Sequence, residues 1–321
     1  MNSPLAILFP GQGSQIIGMG KSFFEGSNAA KQTFEEASET LGFSVESLCF
    51  EGPEDKLVLT ENTQPALLTV STAIIRAIQE SGLPLSVRCT LGHSLGEYSS
   101  LVFAGSLGFS DALKAVRLRG LAMQRAVPVG EGSMLAVLKV EDADVVKLCQ
   151  WASLESGVGS MEPANFNAPG QVVVSGSKQA IDWVTKNWSQ EACPLSSKPR
   201  FIELKVSAPF HSSLMAPAQR EMAEFLRSVA FENAKIPVIQ NVTAKATQDS
   251  YEIKRNIIDQ ITGSVKWTAS VKAALALDVR AAIEVGPSKV LTGLWKKIDS
   301  DERPTLNIEN LSDLGKLEGL V

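Results

Sequence analysis

The chain has 321 residues, 44% of them hydrophobic and 20% charged, enough for one large α/β domain with an inserted piece or for two domains. Its net charge of −5 comes without a basic run, which argues against nucleic acid as a partner. No segment approaches the ~18 uninterrupted apolar residues of a membrane-spanning helix, so no membrane association is expected. Residues 1–9 lack a basic leader and run into a Gly-rich turn, reading as a first strand rather than a signal peptide. Cys49, Cys89, Cys149 and Cys193 lie far apart without CxxC spacing, as expected of reduced structural thiols in a cytoplasmic protein. No metal site is expected.

Leu5 to Phe9 form a continuous apolar run, the sign of a strand buried on both faces. The turn that follows, Pro10-Gly11-Gln12-Gly13-Ser14-Gln15, completes neither G-x-G-x-x-G nor a Walker loop. It is a tight turn at the C-terminal end of a strand, where ligands bind in open α/β sheets, with Gln12 at its tip. By itself it reads as a plain strand–helix connector. Residues 28–41 repeat apolar side chains at helical spacing (Ala30, Phe34, Ala37, Leu41) and end at Gly42. Gln64-Pro65 opens a second helix over 66–80, with Leu67, Val70, Ile74 and Ile78 facing the sheet.

Residues 87–91 are a short β-branched and apolar strand, and 95–104 a helix with Leu95, Tyr98, Ser99, Val102 and Phe103 on one stripe. Between them Gly92-His93-Ser94-Leu95-Gly96 fits the G-x-S-x-G nucleophile elbow in the right strand–turn–helix context. A serine there is exposed at a helix N-terminus, where free N–H groups and the dipole favour developing negative charge. The competing reading is a Gly-Ser turn between two core elements. Only two histidines are available as a base, His93 and His211. His93 precedes Ser94 on the strand, where alternation turns neighbouring side chains to opposite faces, so it is the poorer candidate.

Ser110-Asp111 caps a helix that carries Leu113, Val116, Leu118, Leu121 and Met123, with Arg117, Arg119 and Arg125 along it, and ends near 127–130. Residues 131–206 then follow a complete β-α-β-β-α-β order. The strands are 133–138, 159–166, 171–175 and 200–206, the helices 142–151 and 178–188, and a four-residue turn spans 167–170. A complete small unit between two parts of a larger one implies insertion, with a ligand cleft between them. His211 falls on the re-entry loop, where Pro209 keeps Ala208 out of helix and Ser212 or Ser213 can cap the helix carrying Leu214, Met222, Phe225 and Leu226. A loop histidine is ordinarily a surface residue. This one gains weight as the unplaced imidazole beside the inferred cleft. A short strand at 237–239, helices at 252–261 and 267–276, a strand at 279–285 and a helix at 289–298 complete the large unit. From Asp299 the chain is polar and is expected to be loosely held.

Six collinear stretches resemble the malonyl-CoA:acyl carrier protein transacylases: residues 9–15 (FPGQGSQ), 92–97 (GHSLGE), 118–120 (LRG), 167–176 (NAPGQVVVSG), 208–211 (APFH) and 284–287 (EVGP). The resemblance covers residues 4–298 and implies a large α/β-hydrolase-like subdomain with a parallel sheet (1–130 and 207–298), an inserted ferredoxin-like subdomain (131–206) and a polar tail (299–321). It implies malonyl transfer from malonyl-CoA to the phosphopantetheine thiol of an acyl carrier protein in fatty acid biosynthesis, without a cofactor, by a cytoplasmic monomer. Ser94 would be the acylated nucleophile, His211 its base and the Gln260 backbone carbonyl the group that orients His211. The N–H groups of Gln12 and Leu95 would form the oxyanion hole. Arg119 would bind the malonyl carboxylate through its planar fork, with Arg117 and Arg125 left as solvent-facing arginines. Phe210 would crowd an α-methyl branch. The competing functions are a loader for polyketide synthesis, a serine hydrolase or thioesterase, and a non-catalytic acyl-CoA or carrier-binding protein.

Overall fold

The computed structural model describes residues 4–204, 206 and 208–319. In chain order, strand β1 (Leu5–Phe9) is followed by helices α1 (Lys21–Gly26), α2 (Asn28–Leu41), α3 (Val45–Phe50), α4 (Glu54–Leu57) and α5 (Thr60–Glu80). Strand β2 (Val87–Gly92) leads into α6 (Gly96–Phe103) and α7 (Phe109–Ala126). Then come β3 (Gly132–Leu138), α8 (Asp142–Glu155), β4 (Met161–Ala168), β5 (Gln171–Ser177), α9 (Lys178–Asn187) and β6 (Arg200–Glu203). The chain continues through α10 (Ala216–Arg227), β7 (Val238–Ile239), β8 (Ala246–Thr247), α11 (Ser250–Asp259), α12 (Trp267–Ala276), β9 (Ala281–Val285), α13 (Val290–Ile298) and β10 (Thr305–Ile308).

The larger sheet runs β10-β9-β1-β2-β7-β8, parallel except for the antiparallel edge strand β8. All five residues of β1 are buried because helices cover both faces. Leu5, Ile7 and Phe9 enter the core beneath α2, α5 and α7, while Ala6 and Leu8 enter a second core built around Trp267 and Trp295. The smaller sheet is antiparallel in the order β4-β5-β3-β6, the ferredoxin-like arrangement. Leu135, Val137, Val172 and Val174 pack under α8 and α9, and alternation turns Met134 and Val173 to the other face, toward the larger unit. The expected α/β class, hydrolase-like sheet plus ferredoxin-like sheet, is what the chain folds into.

Several local expectations need correction. Helix α5 begins at Thr60, so Pro65 sits inside it rather than opening it. Pro65 has no N–H for the carbonyl of Glu61 four residues back, and the Arg117 guanidinium supplies the missing donor at 2.7 Å. Helix α7 starts after Gly108, which places Ser110 and Asp111 in its first turn instead of at its cap. The hairpin between β4 and β5 needs only Pro169-Gly170, since Asn167 and Ala168 belong to the strand. Ser212 does not cap a helix, because its hydroxyl donates to the Pro209 carbonyl at 2.7 Å. Ser213 starts a short 3-10 turn instead, and α10 begins after Met215. Lys205 and Ser207, read as strand end and re-entry loop, lie outside the described residues, as do Met1 to Ser3, Leu320 and Val321.

The reading of residues from Asp299 onward as loosely held is also overturned. Strand β10 pairs in parallel with β9, Thr305 against Ala282 through Ile308 against Val285. Ile308 and Leu317 are fully buried in the main core. A segment that is polar on average thus inserts its few apolar residues and completes the sheet edge. Replacing Ile308 with alanine should cost about 2–4 kcal/mol of stability by opening a cavity there. Urea unfolding would read this as a lowered midpoint, whereas an unchanged midpoint would return the segment to a loose tail.

Candidate active site

The parallel strands β1 and β2 end side by side, with Phe9 opposite Gly92, and the turn after β2 carries Ser94 at φ +52°. This left-handed conformation is costly for a non-glycine residue, on the order of 1–3 kcal/mol. The two flanking glycines are required by close approach. A Cβ on Gly92 would run into the carbonyl of Gly96, and one on Gly96 into the carbonyl of Phe9. The elbow is held from below by Asn241, in the loop after β7, whose Oδ1 accepts from the Ser94 N–H at 2.8 Å and whose Nδ2 donates to the Gly92 carbonyl at 2.7 Å.

The Ser94 hydroxyl lies 2.7 Å from His211 Nε2. His211 Nδ1 meets two backbone carbonyls, Gln260 at 2.9 Å and Gly263 at 3.2 Å. Both partners are acceptors only, so Nδ1 carries the proton and Nε2 is left to accept from Ser94. Burial pushes His211 down to about 3, and the nearby Arg119 charge adds to the effect, so the imidazole is neutral at physiological pH. His93 points away from this pair, with Nε2 2.8 Å from Asn167 Oδ1 and its ring against Trp267.

Arg119 reaches the same spot from α7 and is 2% exposed. Its Nη2 donates to Ser94 Oγ at 3.1 Å and Gln260 Oε1 at 3.0 Å, its Nη1 donates to Gln64 Oε1 at 2.8 Å, and its buried Nε has no partner. Gln12 is tied into this group through Thr60, whose hydroxyl donates to Gln12 Oε1 at 2.6 Å and accepts from Gln64 Nε2 at 3.1 Å. The backbone N–H groups of Gln12 and Leu95 make no hydrogen bond among the described residues. Phe210, nearly buried beside His211, lines the cleft. The cleft measures about 400 Å³ and is bounded by Gln12, Ser94, Arg119 and His211 on one side and by Met134, Asn165, Asn167 and Val173 of the smaller sheet on the other. A hollow of about 500 Å³ behind α6, lined by Ile75, Phe103 and Phe109, holds neither the serine nor a histidine. Chemistry picks the smaller space.

Residues 7–312 match the acyl transferase domain family. The chain belongs to that family. It is 44% identical over 297 residues to the malonyl CoA-acyl carrier protein transacylase of Bacillus subtilis, covering 92% of this chain and 91% of that one. It is 43% identical to the enzyme of the same name from Staphylococcus aureus, covering 97% of each. Among solved structures, an acyl carrier protein S-malonyltransferase from Vibrio cholerae superposes with a TM-score of 0.91 at 42% identity, covering 98% of this chain and all of that one. A malonyl-transacylase bound to a type II polyketide acyl carrier protein superposes at 0.90 with 37% identity, over 99% of this chain and all of that one.

Two members of this site, Glu97 and Asn241, were not singled out from the sequence. Glu97, fully buried in the first turn of α6, accepts from Gln240 Nε2 at 2.8 Å, from the Asn241 N–H at 3.1 Å and from Gln260 Nε2 at 2.8 Å. Burial pushes its carboxyl up to about 7, while those donors and Arg119 pull the other way. Asn241 could have been suspected, since it follows a short strand at the sheet's C-terminal edge. Glu97 closes the GHSLGE stretch, but nothing local says that its side chain points inward. Arg117 is not solvent-facing as expected. It binds Glu61 and Asn62 and lies 5.3 Å from the Phe43 ring. Arg125 is exposed and pairs with Glu221.

A pH signature follows from the buried imidazole. As pH falls from 6.5 toward 3, the unfolded chain takes up a proton at His211 that the folded chain refuses, so folding weakens through that window. Glu97 acts in the opposite sense, weakening folding as pH rises from 4.5 toward 7. Comparing His211→Gln with the parent isolates the histidine: its urea midpoint should fall less steeply between pH 6.5 and 4. Parallel slopes would mean that His211 is not held neutral.

Proposed function

We propose that this chain is a cytoplasmic, monomeric malonyltransferase that moves malonyl from malonyl-CoA to the phosphopantetheine thiol of an acyl carrier protein in fatty acid biosynthesis, through an ester on Ser94. The observation that carries the reading is Arg119, a buried cation 3.1 Å from Ser94 Oγ with an unpartnered Nε. A guanidinium offered to a cleft in this way suits an acyl group with a free carboxylate. Ser94, His211 and Arg119 meet within one chain, so the reading needs no second subunit to complete the site. The cytoplasm is supported by four buried cysteines that are all unpaired.

In the first half-reaction His211 Nε2 takes the Ser94 proton while Oγ attacks the thioester carbonyl. The oxyanion is read as lying on the N–H groups of Gln12 and Leu95, donors worth about 2.7–4 kcal/mol each in related chemistry. Collapse breaks the C–S bond, and the proton passes from His211 to the departing CoA thiolate. The second half-reaction reverses these steps with the carrier thiol, whose proton His211 removes before it attacks the ester. The atoms balance with malonyl-CoA and the carrier thiol alone, so no cofactor is invoked. Phe210 is read as disfavouring an α-methyl branch, an effect of only about 1–3 kcal/mol. The polyketide alternative shares all of this chemistry and differs in the carrier, as in the structural relative bound to a type II polyketide carrier.

Intact-protein mass after brief exposure to malonyl-CoA should show one malonyl adduct, absent in Ser94→Ala and discharged onto holo carrier protein far faster than into buffer. Arg119→Ala should lose malonyl loading by about 100-fold or more, the loss of a charge-assisted bidentate pair. Discharge at equal speed without the carrier would make the protein a hydrolase. No adduct from any acyl-CoA would leave a binding protein.

A further inference from the structure

In the structure Arg119 is bonded to the serine read as the nucleophile. Its Nη2 donates to Ser94 Oγ at 3.1 Å while the same oxygen sits 2.7 Å from His211 Nε2. A hydrogen bond from a cation withdraws electron density from the lone pair that must attack, so the serine is less nucleophilic while it lasts. The guanidinium charge is also one of the causes that keep His211 from accepting a proton, second to burial. No carboxylate is hydrogen-bonded to the guanidinium. Besides Ser94 its partners are the neutral amides of Gln64 and Gln260, and Glu97 acts on it only from beyond the Gln260 amide, too weakly to replace a bonded counter-ion. This geometry therefore contains a dyad that is assembled and at the same time attenuated.

We propose that Arg119 is a substrate-operated gate on the Ser94–His211 dyad: unpaired, it damps the nucleophile, and paired with the acyl group's own carboxylate, it releases it. The inference rests on the malonyl reading and adds to it. A carboxylate accepting from Nη2 and the vacant Nε diverts the donor from Ser94 Oγ and neutralises the charge beside His211. Selection between malonyl and a simple acyl group is then made in the rate of acylation as well as in binding, because an acyl group without a carboxylate reaches a site that has not been switched on. The covalent step is unchanged: the Ser94 Oγ–C bond forms, the C–S bond breaks, and the hydroxyl proton passes through His211 to the CoA thiolate.

The gate can be operated from outside. Acetyl-CoA leaves empty the space that the malonyl carboxylate would fill, and formate is a free carboxylate small enough to occupy it without being consumed. Single-turnover acetylation of Ser94 in the full chain should accelerate with formate, saturably and by about tenfold or more, the effect of one charged hydrogen bond withdrawn from the nucleophile. Sodium chloride at equal ionic strength should do nothing, and Arg119→Met should be insensitive to formate. Acetylation indifferent to formate in the parent protein, accelerated equally by chloride, or still formate-dependent in Arg119→Met would each overturn the gate. Malonyl-CoA run in parallel separates the two claims. Failure of malonyl to load Ser94 rejects the transferase reading, whereas normal malonyl loading beside formate-blind acetylation rejects the gate alone.

Discussion

The left-handed backbone at Ser94 is the constraint on which the site depends, and it is maintained by polar groups buried beneath it. Glu97 has three donors directed at its two oxygens, and two of them, the Asn241 N–H and the Gln260 amide, belong to residues that also bond the elbow backbone. Asn241 binds the elbow at Ser94 N and Gly92 O, and Gln260 Nε2 binds the Ser94 carbonyl at 2.9 Å. A buried carboxylate is tolerable only when so satisfied, and removing one partner would leave a charge or an amide stranded. The network thus ties the end of β2, the loop after β7 and the end of α11 into one arrangement. Asn256 extends it, donating to Gln240 Oε1 at 2.7 Å.

Gln260 shows why the histidine is oriented by a carbonyl and not an acid. Its backbone oxygen faces His211 Nδ1, and its side-chain oxygen faces Arg119. With Nε2 committed to Glu97 and Ser94, the amide has one orientation in which every contact is made. A carboxylate in place of the carbonyl would lie close enough to Arg119 to compete with any substrate carboxylate for the guanidinium. A neutral acceptor fixes the tautomer and leaves the cation without a bonded carboxylate. Glu97 does not offer that competition, because its oxygens are taken by amides and Gln260 stands between it and Arg119.

Much of the frame was legible in the sequence. Periodicity located α2 and α12 to the residue and the β3–β6 unit in its correct order, because burial on one face forces 3.6- or 2-residue repeats. Ser94 was legible from the elbow pattern, and His211 from a count of two imidazoles and the alternation that turns His93 away. Of the residues that the family resemblance had named, Gln12, Leu95, Arg119 and Phe210 line one cleft, and Gln260 lies buried behind it against His211 and Arg119. What could not be read were long-range contacts and averages. Asn241 meets Ser94 across 147 positions, and no local pattern reports it. Pro65 looked like a helix start because its interior cost is relieved by Arg117, a donor 52 positions away by their numbers. The tail looked loose because its polar average concealed four strand residues that needed only the open edge of β9.

The smaller sheet contributes more than a wall to the cleft. Asn167 binds His93, the residue before Ser94, and the backbone around Ala164 and Phe166 exchanges hydrogen bonds with Val265, two residues before α12. The elbow, the strand that faces it and the segment following Gln260 are therefore joined across the cleft at both ends. A site braced in this way has little freedom to close around substrate, so discrimination must reside in preformed geometry and charge. Within such a site the group with the most scope to change partners is the Arg119 guanidinium, which can exchange a hydroxyl for a carboxylate without moving the backbone of any element around it.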